Sequence, residues 1–253
     1  MGKWTWAAAS CRGTSHVQGN LRCQDAMACS ASGAHRSRFI AILCDGAGSA
    51  AMGGEGATLA ARVISVRARA HALKSASSPT DETIHEWIDH ARDVIEHTAQ
   101  KRQLRSRDFA ATLVCALSDG TDTTVIHIGD GCVVGQDAND YAWYALTWPA
   151  HGEYASTTFF ITDDVQPRVV ITRHQRRLSA LVAFTDGLER LALDFASNQP
   201  HDPFFNGIIS PLAGITSVGR DRGLSEKLAR YLDSASVNDR TDDDKSLIMA
   251  VCR

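Results

Sequence analysis

Aspartate closes one apolar run after another in this chain. FIAILCDGAGSA ends its apolar stretch at Asp45, VIHIGDG at Asp130 and LVAFTDGL at Asp186, and glycine follows each aspartate directly. TDDDKSLIMAV sets Asp242, Asp243 and Asp244 just ahead of another apolar run, and CQDA puts Asp25 at a turn near the start. A strand end is a rigid mount with an exposed tip, so several such ends can converge on one mouth of a sheet. Glycine lets the backbone come close to a ligand. Carboxylates gathered in this way repel one another unless a cation sits among them. All-oxygen ligands suit the hard ions Mg²⁺ and Mn²⁺, not zinc or copper. Two such ions, typically about 3.5–4 Å apart, activate a water for in-line attack. Phosphate monoesters are the bonds that need this most, with enzymatic accelerations up to ~10²¹-fold. A single Asp-Gly is ordinary turn chemistry; the recurrence at the ends of apolar runs is the signal.

The elements that would carry these carboxylates are mostly short strands. TLVCALS, TTVIHIGDG, CVVGQ, YALTW, RVVITR, ALVAFTDG and SLIMAVC are compact apolar or alternating runs bounded by Gly, Asp, Asn or Pro. Two long helices stand between them. Leu59, Val63, Val66, Ala70 and Leu73 recur at steps of four and three, as do Ile84, Trp87, Ile88, Ala91 and Ile95. SASSPTDE joins the two, and Ser78-Pro79-Thr80-Asp81 reads as a capping box with proline at the first helical position. Leu224, Leu228 and Leu232 predict one more helix, after a looser region around Leu188 to Phe195. Many strands with a few long helices, not in regular alternation, predict an α+β fold.

At 253 residues, 44% hydrophobic and 22% charged, the sequence is that of an ordinary globular protein with a sizeable core. Lys+Arg 26 against Asp+Glu 29 gives a net charge of -3, with no global pull toward nucleic acid or anionic lipid. No apolar run approaches the roughly 20 residues of a membrane span, and the N-terminus lacks a signal-peptide pattern. The expected location is the cytoplasm. Seven scattered cysteines never form C-x-x-C, so neither a zinc site nor a disulfide framework is predicted. None opens a C-x₅-R phosphate loop, which argues against a cysteine nucleophile.

The ordered series CQDA, AILCDGAGS, FAATLVCAL, IHIGDG, VAFTDGL and DDDKSLIMAV resembles the metal-dependent Ser/Thr protein phosphatases of the phosphatase 2C type, in their bacterial single-domain branch. The resemblance implies a central β-sandwich of two antiparallel sheets flanked by helices, with metals at one end, and one catalytic domain over 1–253. It implies hydrolysis of phosphoserine and phosphothreonine by a metal-activated water, with Mg²⁺ or Mn²⁺, two or three ions, as cofactor. A phosphorylated protein is the implied substrate, and a Ser/Thr kinase or a kinase target the implied partner.

By position, Asp45 resembles the carboxylate shared by two metals, and Gly46 would offer its carbonyl. Asp186 and Asp243 resemble further ligands, and Asp130 matches the aspartate of a third, weaker metal. Asp25 matches the acidic residue that holds water on a metal, so Asp25, Asp45, Asp186 and Asp243 form the expected catalytic set. Thr112 lies in a structural strand motif, and Gln24 stands where many relatives have glutamate.

Other positions depart from the family pattern. Asn20 occupies the place of a phosphate-gripping arginine, leaving Arg22 or His16 as candidates for the substrate phosphate, with Arg12 nearby. Ala47 stands where some relatives carry a proton-donating histidine, and His127 reads as core. Gly131 and Cys132 replace the serine and arginine after Asp130. Residues 141–173 lie where relatives place a flap, and the aromatics there read as packing. The basic run Arg173-His174-Gln175-Arg176-Arg177 reads as a solvated strand end. The altered residues keep open a pseudophosphatase that binds a phosphoprotein without turnover. A small-molecule phosphomonoesterase is the other alternative.

Overall fold

Runs such as Phe39–Cys44 are apolar at every position because both of their faces are covered. Phe39, Ala41 and Leu43 point into a core shared with Trp4, Trp6, Leu181 and Ile248. Ile40, Ile42 and Cys44 point the other way, against Ala57, Ile64 and Trp87 of the flanking helices. The period-2 alternation of a strand thus divides one sequence run between two cores, and each fully buried Ile, Leu or Phe contributes about 1.5–3 kcal/mol.

Residues 2–33, 37–150, 158–163 and 167–253 are described by the structure, a computed structural model. The first elements are β1 (Trp4–Cys11), a short helix α1 (Thr14–Gln18), β2 (Ala26–Ser32) and β3 (Arg38–Cys44). Two long helices follow, α2 (Gly53–Lys74) and α3 (Asp81–Lys101). Next come β4 (Leu113–Ser118), β5 (Asp122–Ile128), β6 (Cys132–Asp137), β7 (Trp143–Thr147), β8 (Val170–Gln175) and β9 (Leu178–Phe184). A helical turn α4 (Glu189–Ala192) leads to the two-residue strands β10 (Leu193–Asp194) and β11 (Gln199–Pro200). The remainder comprises α5 (Asp202–Ala213), β12 (Gly219–Arg220), α6 (Arg222–Leu232), α7 (Ala235–Asn238) and β13 (Lys245–Cys252).

One sheet has the order β2-β3-β4-β5-β8 and the other β12-β1-β13-β9-β6-β7. All of their pairings are antiparallel except the two-residue contact of β1 with β12. The long helices α2 and α3 cover the outer face of the first sheet, and α5 and α6 cover that of the second. The four layers are those of the expected α+β sandwich. Trp4 stacks on Phe39 across the central core, ring centroids 5.2 Å apart.

Several expectations need correction. The buried face of α2 is Ala57, Ala60, Ala61, Ile64, Ala68 and Ala72, whereas Val66 is 60% and Leu73 is 72% exposed. Alanine carries little weight in a hydrophobic pattern, yet it lets the helix lie close to β2 and β3. α3 starts later than the Ser78 cap predicts: its N-cap is Thr80, whose side chain accepts the Thr83 N–H at 3.3 Å, and Pro79 precedes the cap. The stripe Ile84, Trp87, Ile88, Ala91 and Ile95 is buried as expected. The strands β1 and β2, and the two-residue strands β10, β11 and β12, had no counterpart in the sequence reading.

Within the flap-like segment 141–173, residues 151–157 and 164–166 lie outside the described residues. Its ends are edge strands: β7 pairs with β6 in one sheet and β8 with β5 in the other. Trp143 is core, its ring 5.0 Å from Phe205 and its Nε1 donating to Asn206 Oδ1 at 2.8 Å. The basic run is more tied down than a solvated strand end. Arg173 pairs with Asp81, and Arg176 Nε lies 3.1 Å from Asp137 Oδ2.

Candidate metal centre

Three strand ends bring Asp45, Asp130 and Asp186 together. Asp45 follows β3 and is clasped to the start of β4: its N–H donates to Thr112 Oγ1 at 3.0 Å, and its carbonyl accepts the Thr112 N–H at 2.8 Å. Thr112 is therefore a positioning residue. Asp130 sits in the β5–β6 turn, and Asp186 opens a 3₁₀ turn after β9. Phe184 of β9 pairs with both Leu247 of β13 and Cys132 of β6, which fixes Asp186 beside both neighbouring strands. One carboxylate oxygen from each of Asp45, Asp130 and Asp186 lies within 4.8 Å of the others.

Asp25 immediately precedes β2, whose Ala26 pairs with Cys44. Its Oδ2 accepts the Thr185 hydroxyl at 2.9 Å, and Thr185 Oγ1 in turn accepts the Ser246 N–H at 3.0 Å. This buried threonine links the two sheets at the mouth, and the sequence reading missed it. The only signal was a hydroxyl placed just before Asp186-Gly187. Another contact that could not be foreseen is Thr158 Oγ1 donating to Asp130 Oδ2 at 2.5 Å, because it depends on the path of the segment between β7 and β8.

Asp243 lies outside the 4.8 Å group, and its Oδ1 accepts the Asp244 N–H at 2.7 Å. It still acts on Asp45 and Asp186 through its charge. Asp244 is buried, and its two oxygens accept the N–H groups of Gly13 at 2.6 Å and Gln24 at 2.5 Å. His16 Nδ1 lies 2.9 Å from Asp244 Oδ2, a close contact without hydrogen-bond alignment. Arg22 is exposed, and Arg12 Nη1 donates to the Leu21 carbonyl at 3.0 Å. Asn20 takes a left-handed backbone, φ 53°, a conformation that asparagine tolerates well. His127 is buried, with Nδ1 at 2.8 Å from Thr147 Oγ1, and burial pushes it down to about 4, so it is neutral core.

The two glycines that follow Asp45 and Asp186 are needed for packing. A Cβ on Gly46 would stand 2.3 Å from the Gly53 carbonyl carbon at the start of α2. One on Gly187 would stand 1.9 Å from the Asp244 carbonyl oxygen.

The electrostatics are those of a cation site. Burial, then the charges of Asp25 and Asp186, pushes the Asp45 carboxyl well above its ordinary range. Burial, then the charges of Asp130 and Asp243, pushes Asp186 up to about 8. Asp25 is pushed up to about 7, chiefly by burial, with the Thr185 hydrogen bond opposing. Burial also raises Asp243, offset partly by the Asp244 N–H. One buried oxygen on each of Asp25, Asp130 and Asp186 has no hydrogen-bond partner among the described residues. Such orphaned groups cost about 1–3 kcal/mol each, more when charged. A divalent ion held by hard oxygen donors satisfies these atoms and relieves the repulsion, so the residues present fit the group.

Layers of α-β-β-α with buried, unpaired carboxylates at one end make a scaffold suited to oxygen-held divalent cations. The protein phosphatase 2C profile matches residues 12–233. The chain is 37% identical over 251 residues to Serine/threonine-protein phosphatase 3 of Escherichia coli (strain K12), covering 98% of each. It belongs to the protein phosphatase 2C family. Among solved structures, it shares its fold with PppA, a regulatory component of T6SS in Pseudomonas aeruginosa (TM-score 0.68, 14% identity, covering 99% of this chain and 98% of that one). It also shares its fold with the catalytic domain of the phosphatase PstP in complex with 2 manganese ions (TM-score 0.65, 17% identity, covering 100% and 99%).

Proposed function

We propose that this protein is a metal-dependent phosphatase that hydrolyses phosphoserine and phosphothreonine in proteins, with residues 1–253 as one catalytic unit. The observation that carries the reading is the convergence of Asp45, Asp130 and Asp186 from three strand ends, with oxygens left unpaired. Asp45, the Gly46 carbonyl, Asp186 and Asp243 would hold two Mg²⁺ or Mn²⁺ ions, and Asp130 a third. When bound, the ions polarise phosphoryl oxygens and lower the pKa of a water for in-line attack on phosphorus.

The chain's own residues prepare that step. Thr112 clasps Asp45, Thr185 fixes the Asp25 carboxyl at the same mouth, and Asp244 holds the Gly13 and Gln24 backbone beside it. Arg22 and His16 are the candidates to meet the substrate phosphate. Arginine suits that role through its planar fork.

The cellular partner would be a Ser/Thr kinase or a kinase target, met in the cytoplasm. No helix among the described residues is long and apolar enough to cross a membrane, and the net charge of -3 offers nothing to nucleic acid.

The test is phosphate release from a phosphothreonine peptide, with and without Mn²⁺ or Mg²⁺, by the wild type and by Asp45→Asn. Metal-dependent release that the substitution abolishes is the expected result. Folded wild type that releases nothing with either ion would refute catalysis and favour phosphoprotein binding. Turnover of small phosphomonoesters but not peptides would point to a metabolite phosphatase.

A further inference from the structure

A serine or threonine alkoxide is a strong base and leaves phosphorus slowly unless it is protonated as the P–O bond breaks. The residue after Asp45-Gly46 is Ala47, which has no proton to give. The other described histidines are occupied or placed elsewhere. A ring nitrogen of His71, His174 and His201 is bonded to the carbonyl of Ser77, Leu146 and Leu191, respectively. His127 is buried and neutral. His85, His90 and His97 lie on α3, in the outer layer.

His16 is placed differently. Its helix α1 is docked on the Asp242–Asp244 turn. The Ser15 N–H and hydroxyl both donate to the Asp242 carbonyl, at 3.0 and 2.7 Å, and Gly13 is packed against the Asp243 backbone. The Nδ1 edge of the ring faces the buried Asp244 carboxylate at 2.9 Å. That carboxylate is itself held by the Gly13 and Gln24 N–H groups, so it is an orienting group and not a free ligand. The opposite edge of the imidazole carries Nε2, which has no hydrogen bond to a described residue. A histidine with one nitrogen set against a fixed carboxylate and the other left open is poised for proton transfer.

Building on the phosphatase reading, we propose that His16, oriented by Asp244, is the proton donor to the leaving alkoxide. Water adds its oxygen to phosphorus as the ester P–O bond breaks. The departing serine or threonine oxygen takes the Nε2 proton. The imidazole regains a proton from the water consumed, so the products are the free hydroxyl and inorganic phosphate.

The test compares two leaving groups. Wild type, His16→Asn and His16→Gln are assayed with Mn²⁺ on a phosphothreonine peptide and on p-nitrophenyl phosphate, whose phenolate leaves without help. Thermal melting of each variant confirms that it is folded. The expected result is a fall in kcat of about 10²-fold or more on the peptide, at least about tenfold larger than the fall on the aryl ester. An equal fall on both substrates would make His16 a phosphate-binding or merely structural residue and overturn the proposal, as would undiminished peptide turnover. Wild type that hydrolyses neither ester overturns the phosphatase reading itself, an outcome distinct from either variant result.

Discussion

Stripping the metals should make this protein lose stability as pH rises, and removing one carboxylate should reverse the loss. The perturbation is Asp186→Asn, which keeps shape and removes charge. Asp186 is pushed from the ordinary 3.8 up to about 8, first by burial and then by Asp130 and Asp243. Between those values the folded chain binds more protons than the unfolded one, so stability is full below the unfolded pKa and is lost as pH climbs through about 8. At about 1.36 kcal/mol per pH unit, the ionised group costs the folded state on the order of 5 kcal/mol. Its neighbours relax when it ionises, and a realistic gain for the variant at pH 9 is about 2–5 kcal/mol. For a chain of this size that is roughly a 5–15 °C rise in Tm. The assay is urea and thermal unfolding of chelator-treated protein from pH 5 to 9, followed by circular dichroism. The gap between variant and wild type should be small at pH 5 and widen to pH 9. A pH-independent gap, or a wild type more stable than the variant at pH 9, would refute the electrostatic account. Saturating Mn²⁺ should restore the wild type, by about 2.7 kcal/mol at a hundred times Kd, and the variant by less.

Two further substitutions test the packing around the site. Ile64→Ala on the buried face of α2 should cost about 2–4 kcal/mol in urea unfolding, whereas Val66→Ala on the exposed face should stay within about 0.5 kcal/mol; the reverse order would restore the stripe through Val66. Gly187→Ala drives a methyl into the Asp244 carbonyl and should cost about 3 kcal/mol or more. Wild-type unfolding by that variant would show that the turn carrying Asp186 has room to spare.

The site aspartates were legible because a carboxylate at the end of an apolar run is a local property. The strands β3 to β9 and β13 were legible as compact apolar or alternating runs, and in β3, β4, β9 and β13 cover on both faces makes the run nearly continuous. β1 and β2 were hidden by small residues, as in WTWAAASC and AMACSAS, and alanine also disguised the buried face of α2. What could not be read were the contacts that orient the site. Thr185 reaches Asp25 across 160 residues of sequence, and Asp244 reaches Gly13 across 231. No spacing rule links residues so far apart. The glycines after Asp45 and Asp186 were visible, but the backbones they make room for, at Gly53 and Asp244, were not.

β13 is inserted between β1 and β9, pairing with β1 over eight residues from Trp4↔Cys252 to Cys11↔Lys245. On a ribosome adding about 5–20 residues per second, β1 emerges early and waits for a partner that is translated last of the strands. Until then the sheet β2-β3-β4-β5-β8 and the β9-β6-β7 ladder, which carry Asp25, Asp45, Asp130 and Asp186, have their own partners, whereas β1 lacks its long antiparallel neighbour and Asp243 and Asp244 do not yet exist. Such distant pairing makes folding slow, since loop closure must precede any reward. If Asp243 and Asp244 belong to the site as proposed, its mouth is completed only when β13 joins β1 and β9, after every other strand has been made.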